Sequence, residues 1–330
     1  MNRIQSYVVP ASCRLRPSLR VALLAAGLSV AAATPAAGLT FTNYTTNNGL
    51  GANLVNGVFA SGSNIYAATN GGLSISTNSG TNWTNYTTSN GLGDNVVRSV
   101  YASGSNIYAA TNSGGLSIST NDGTNWINST TSIGLGSSLV NVVFASGSNI
   151  YAATNGGGLS ISTNSGTNWT NYTTSNGLGS DYVRSVYASG SNIYAATGYG
   201  LSISTNSGTN WTNYTTADGL GNNSVGGVYA SGNNIYAATY GGGVSISTNS
   251  GTNWSNYTTA DGLGNNFVYS VFASDGNVYA ATERGLSIAS DPSQVPAPLP
   301  LFGAALPLSF CRRLRSRSKR LRQGASSRLA

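Results

Sequence analysis

Between residues 41 and 290 the chain alternates short apolar stretches with clusters of Gly, Asn and Ser, and no apolar spacing of three to four residues is sustained. Short runs rich in Val, Ile, Tyr and Thr, bounded by turn formers, predict strands rather than helices. In one stretch the predicted strands are 96–102, 106–111, 116–120 and 126–131. Helical segments are predicted only at the two ends.

The same pattern returns five more times. Gly-Leu-Gly begins at 49, 91, 134, 177, 219 and 262, in steps of 42 or 43 residues. Tyr-Ala-Ala-Thr begins at 66, 108, 151, 194, 236 and 279. Four strands in a repeat of this length make one blade of a β-propeller, and six repeats make six blades. The fold class is therefore all-β, a six-bladed β-propeller with four strands per blade. The first segment, 41–46, reads as an outer strand with nothing before it, and the last repeat stops after its third strand. Ring closure, with this N-terminal strand completing the last blade, is the expectation, because closure hides sheet edges. A linear solenoid would gain nothing from that arrangement.

Composition sharpens the boundaries. Only 7% of the residues are charged, and His is absent. Most of the Lys and Arg lie before residue 38 or after residue 298. Between them stand Arg98, Arg184 and Arg284 against all eight acidic residues, so the body is mildly acidic. The sequence pI of about 9.5 thus belongs to the ends, and a nucleic-acid partner is not expected. Cys13 and Cys311 also lie in the ends, so the body has neither a disulfide framework nor a thiolate ligand set.

The ends read as addresses. Arginines, an apolar run and the small residues around Ala36 make residues 1–37 a signal peptide, with an uncleaved anchor as the alternative. Residues 38–291 are the propeller. Residues 292–298 form a linker carrying Val295, Pro296, Ala297 and Pro298; 299–311 form a short apolar transmembrane segment; and 312–330 form a basic tail retained in the cytoplasm. Thirteen helical residues reach about 20 Å, short of a hydrocarbon core of about 30 Å, which fits a transient stop.

This C-terminal order resembles the PEP-CTERM sorting signal of bacteria that use exosortases, with Ala297 where the commonest motif has Glu. The resemblance implies that secretion machinery and an exosortase-like enzyme act on the chain, and that the body is delivered to the cell surface or the extracellular matrix. A plain basic-flanked tail anchor is the other reading. In five of the six repeats, Ser-Thr-Asn-Ser-Gly-Thr-Asn-Trp, with Asp122 for the second Ser in one copy, resembles an Asp-box. Asn78, Asn121, Asn164, Asn206 and Asn249 stand at its Asp position, and Trp83, Trp126, Trp169, Trp211 and Trp254 close it. The resemblance implies a structural turn between the two outer strands. The whole repeat also resembles the sensor propellers of two-component regulators.

Positions that recur in all copies build the blade; positions that differ are free of that duty. After the first Val of each opening strand stand Asn56, Arg98, Asn141, Arg184, Gly226 and Tyr269. The link between the second and third strands varies too, and carries Tyr199, Tyr240, Glu283 and Arg284. Arg98, Arg184, Tyr199, Tyr240, Tyr269, Glu283 and Arg284 form the candidate ligand-binding ring; neutral drift among duplicates is the competing account, with Arg284 simply pairing with Glu283.

Catalysis is poorly provided for. Without His there is no His-based triad. Sialidases built on Asp-box propellers need an arginine cluster, a Tyr nucleophile and acidic partners. Asp94, Asp181, Asp218 and Asp261 lie beside the Gly-Leu-Gly turns, where Asp commonly serves turn geometry. No catalytic, metal or cofactor residue is predicted, and the protein is read as no enzyme. Amides, hydroxyls and tyrosine faces suit neutral polar ligands. The expectation is a monomeric, non-catalytic surface or matrix propeller associated with exopolysaccharide. The alternatives are a ligand-binding sensor acting through a separate signalling partner and an Asp-box glycan-active enzyme.

Overall fold

Each repeat of the sequence becomes one sheet. The computed structural model describes residues 42–290 except Asp275. Two compact units divide the chain, Met1–Asn43 and Tyr44–Ala330, and all the strands described lie in the second. They form six antiparallel sheets in chain order, five of four strands and a last one of three. In blade 2 the inner strand is Val97–Ser103, followed by Asn106–Thr111, Leu116–Ser119 and the outer strand Ile127–Ser129.

The outer strand is shorter than the apolar pattern predicts. Trp126 stands before it, and Thr131 opens a three-residue 3-10 turn ending at Ile133. Thr130 is the N-cap of that turn, and Gly134 ends it at φ 99°, a conformation that Gly adopts at little cost. In the next blade the turn is closed by a capping box: Thr173 N and Oγ1 both donate to Asn176 Oδ1, at 3.1 Å each. Gly-Leu-Gly is thus the exit from this turn. Its Leu enters the core, as Leu92 and Leu135 do. Its second Gly meets the next loop so closely that a Cβ on Gly157 would lie 2.2 Å from the Gly136 carbonyl carbon.

The core lies between blades. One cluster joins Tyr66, Leu73 and Ile75 of blade 1 to Val97, Val100 and Ile107 of blade 2. Four more clusters join the following pairs. The small residues of Tyr-Ala-Ala-Thr, such as fully buried Ala109 and Ala110, let neighbouring sheets approach. Along the inner strands a file of rings, Phe59, Tyr101, Phe144, Tyr187, Tyr229 and Phe272, links each blade to the next with centroids 4.7–5.3 Å apart. Such offset aromatic pairs are stabilising beyond their buried area.

The expected closure by 41–46 is not formed among the described residues. Six blades need six interfaces to close, and five are packed. Val58 of blade 1 is 66% exposed, whereas its counterpart Val100 is 6% exposed. Among the described residues the third strand of blade 6, Gly285–Ser290, has no outer partner, and its Leu286 is 65% exposed where Leu73 of blade 1 is fully buried. Tyr44 does pack edge-on against Trp83 of blade 1, as an outer strand of a preceding blade would. Among the described residues no core cluster joins blades 6 and 1 to bring the last sheet alongside it.

The predicted signal segment 1–37, sorting motif 295–298, membrane segment 299–311 and basic tail 312–330 lie outside the described residues. Among the described residues no helix is long and apolar enough to cross a membrane.

Candidate functional site

The variable position of each inner strand is the extra residue of a β-bulge. In blade 2, Val97 pairs with Thr111 and Ser99 with Ala110, so Arg98 has no opposite number. The same skip occurs at Asn56, Asn141, Arg184, Gly226 and Tyr269. A bulge breaks the ladder locally and re-aims a side chain. Here it leaves carbonyls free, and the neighbouring blade's bulge residue uses them. Asn56 Nδ2 donates to Val97 O and Asn141 Nδ2 to Val183 O, both at 2.8 Å. Arg184 Nη1 donates to Val225 O at 3.3 Å.

These side chains line a cavity of about 560 Å³ running from blade 1 to blade 5, bordered by Asn56, Asn70, Arg98, Asn141, Tyr182, Arg184 and Tyr240. Arg98 is held by amides: Nε donates to Asn112 Oδ1 at 3.0 Å, Nη2 donates to the same oxygen at 2.5 Å, and Nη1 reaches Asn141 Oδ1 at 3.3 Å. Arg184 is held by backbone, Nη1 also reaching Thr197 O at 3.2 Å. Its guanidinium lies over two rings, 5.5 Å from the Tyr182 centroid and 5.0 Å from that of Tyr240, within cation–π range. Gly226 makes this possible: a Cβ there would come within 2.4 Å of Tyr240 Cε1. Burial pushes the Tyr240 hydroxyl above its usual range, and the Arg184 charge pulls the other way.

Of the seven ring residues expected from sequence, Arg98, Arg184 and Tyr240 border this cavity. Tyr269 stands behind it, edge-on to Tyr240 at 6.0 Å, while Phe267 stacks on Tyr240 at 4.4 Å and 12°. Tyr199 is 71% exposed and outside the lining. Glu283 and Arg284 are exposed on blade 6. They make no ion pair with each other; Glu283 Oε2 accepts from Asn265 Nδ2 at 3.4 Å. Sequence reasoning missed Tyr182 and Phe267. The signal was present one position before the bulge's Val, where the copies read Leu54, Val96, Leu139, Tyr182, Ser224 and Phe267.

The carboxylates are occupied by turns. Asp218 Oδ2 and Asp261 Oδ2 accept from Thr215 N and Thr258 N at 2.9 Å, completing capping boxes. Asp181 Oδ1 accepts from Thr174 N at 2.7 Å. Partial burial alone would raise the Asp94 carboxyl, but the Ser113 hydroxyl and nearby amides, that of Val96 foremost, hold it below its usual value. No three residues among His, Cys, Asp and Glu lie close enough to hold a metal ion, among the described residues.

The Ser-Thr-Asn-Ser-Gly-Thr-Asn-Trp segment is likewise a closed turn. Asn78 Oδ1 accepts from Asn82 N at 2.9 Å and from Ser76 Oγ at 3.0 Å, and Ser76 Oγ in turn accepts from Gly80 N at 2.9 Å.

Fold and cavity together define a propeller-like array of blades with a polar, arginine-bearing site at its inner strands. Residues 72–178 match the DUF6242 beta propeller domain. No curated protein matches the chain. Among solved structures, the extracellular domain of a hybrid two component system of B. thetaiotaomicron is 18% identical, with a TM-score of 0.54 over 72% of this chain. This chain spans 39% of that protein's length. YCF48 from Cyanidioschyzon merolae is 18% identical, with a TM-score of 0.52 over 74% of this chain and 86% of its own. The GH74 enzyme of Niastella koreensis is 26% identical, with a TM-score of 0.50 over 71% of this chain and 36% of its own.

Proposed function

We propose that the protein is an exported, non-catalytic propeller of the cell surface or extracellular matrix that associates with polysaccharide. Its ends would be handled by secretion machinery and an exosortase-like enzyme, in keeping with the order of motifs at 295–322. The observation that carries the reading is the cavity at the inner-strand bulges. Amides of Asn56, Asn70 and Asn141 and the side chains of Tyr182 and Tyr240 share one polar concavity, and their positions are those at which the repeats depart from one another. Few precisely placed polar groups beside aromatic side chains are what a site needs to orient a saccharide. A body nearly free of charge offers little long-range steering, so recognition rests on contacts.

The reading is tested by probing an array of bacterial and plant polysaccharides with the full chain and with Tyr240→Ala. Wild-type signal that falls at least tenfold in the variant is expected. Absence of signal on every polysaccharide would sink the proposal.

A further inference from the structure

Among the described residues Arg184 is an immobilised cation without an anion. Its Nη1 is committed to two backbone carbonyls, Thr197 O and Val225 O, and its plane is fixed over Tyr182 and Tyr240. Nε and Nη2 donate to nothing among the described residues. Arg98 in blade 2 has only amide oxygens as partners. No Asp or Glu among the described residues borders the cavity, and Asp94 and Asp181 are engaged in turns. A guanidinium held in place has already lost the freedom that binding would otherwise cost it, and its open edge matches the two oxygens of a carboxylate.

The rest of the lining narrows the class. Asn56 Nδ2 is used by Asn70 Oδ1 and Val97 O, which leaves Asn56 Oδ1 as an acceptor and Asn70 Nδ2 as a donor. Hydroxyl groups, which donate and accept, satisfy such a mixed pair. A guanidinium edge suited to a carboxylate and an amide pair suited to hydroxyls, lining one cavity, together suit a polysaccharide that contains uronic acid units.

Resting on the polysaccharide reading, we infer that the cavity selects acidic polysaccharide, with the carboxylate of a uronate unit received on the Nε/Nη2 edge of Arg184. Arg98 adds a second positive charge along the same cavity. This narrows the ligand from the neutral glycans that the body's low charge alone favours.

The experiment titrates the full chain by calorimetry with a tetramer of galacturonate and with its methyl ester, which keeps the sugar and removes the charge. The acid is expected to bind at least tenfold more tightly than the ester, with the preference shrinking as salt rises. Arg184→Gln is expected to bring the acid down to the ester's level, and Arg184→Lys to fall between. Melting curves and far-ultraviolet spectra of both variants check that the fold survives; where Arg184→Gln fails to fold, Arg98→Gln read against salt replaces it. Equal affinity for acid and ester overturns the uronate inference and leaves the polysaccharide reading standing. Binding to neither form, with signal on other glycans in the array, also overturns it alone. Silence on all glycans removes both, and Arg184-dependent capture of an acidic peptide in that case assigns the site to a peptide partner instead.

Discussion

Tyr86, ending the outer strand of blade 1, meets Trp126 of blade 2 edge-on, with centroids 5.8 Å apart and planes at 64°. Tyr172 with Trp211 and Tyr214 with Trp254 repeat the contact within 0.1 Å. No indole N–H finds a protein acceptor among the described residues, so each Trp acts through packing. These edge contacts fasten the rim of the array, as the inner-strand ring file fastens its centre.

Trp126→Ala is therefore expected to destabilise the body by about 2–3 kcal/mol, below the range for a fully buried ring because Trp126 is half-buried. Trp126→Phe should recover part of the loss. Urea unfolding followed by circular dichroism measures both. Because blades stabilise their neighbours, the unfolding slope is also expected to fall in the Ala variant.

The turn built on Asn164 separates geometry from charge. Asn164 Oδ1 accepts from Asn168 N and Ser162 Oγ, both at 2.9 Å. A carboxylate can accept both bonds, so Asn164→Asp should leave the thermal midpoint almost unchanged. Asn164→Ala leaves both donors without that acceptor and should cost about 1–2 kcal/mol. Equal melting of all three forms would show that the turn does not depend on this oxygen.

Stability should fall in alkali. Burial pushes the hydroxyls of Tyr101, Tyr108, Tyr187 and Tyr194 above their usual value of 10.0. Groups with raised folded values contribute stability that is complete below the unfolded value and is lost as pH rises through the folded one. The urea midpoint should hold steady from pH 8 towards 10 and drop above it, tracked by tyrosinate absorbance. A midpoint unchanged at pH 11 would contradict this.

Much of the fold was legible in the sequence because each repeat carries its own instructions. Tyr-Ala-Ala-Thr gives the second strand at Asn106–Thr111, and the copies reproduce it with no change in length. Thr-Thr, then Gly-Leu-Gly, fixes a capped turn whose Gly residues adopt conformations other residues resist. The variable residues were legible as well: Arg98 and Arg184 stand out simply because their equivalents differ.

Two things lay beyond the sequence, for one physical reason. Spacing along the chain reports local geometry, whereas contact between blades depends on how the sheets stack. Tyr182 joins Arg184 and Tyr240 only because a bulge turns one side chain and the absent side chain of Gly226 admits another ring from the neighbouring link. In the same way, the terminal segment and the last repeat look complementary on paper, yet Val58 and Leu286 stay bare because the packing of five interfaces does not dictate a sixth. The sequence by itself determined the repeat, its strands and its turns; tertiary structure alone decided which variable residues share a cavity and where the array leaves its edges open.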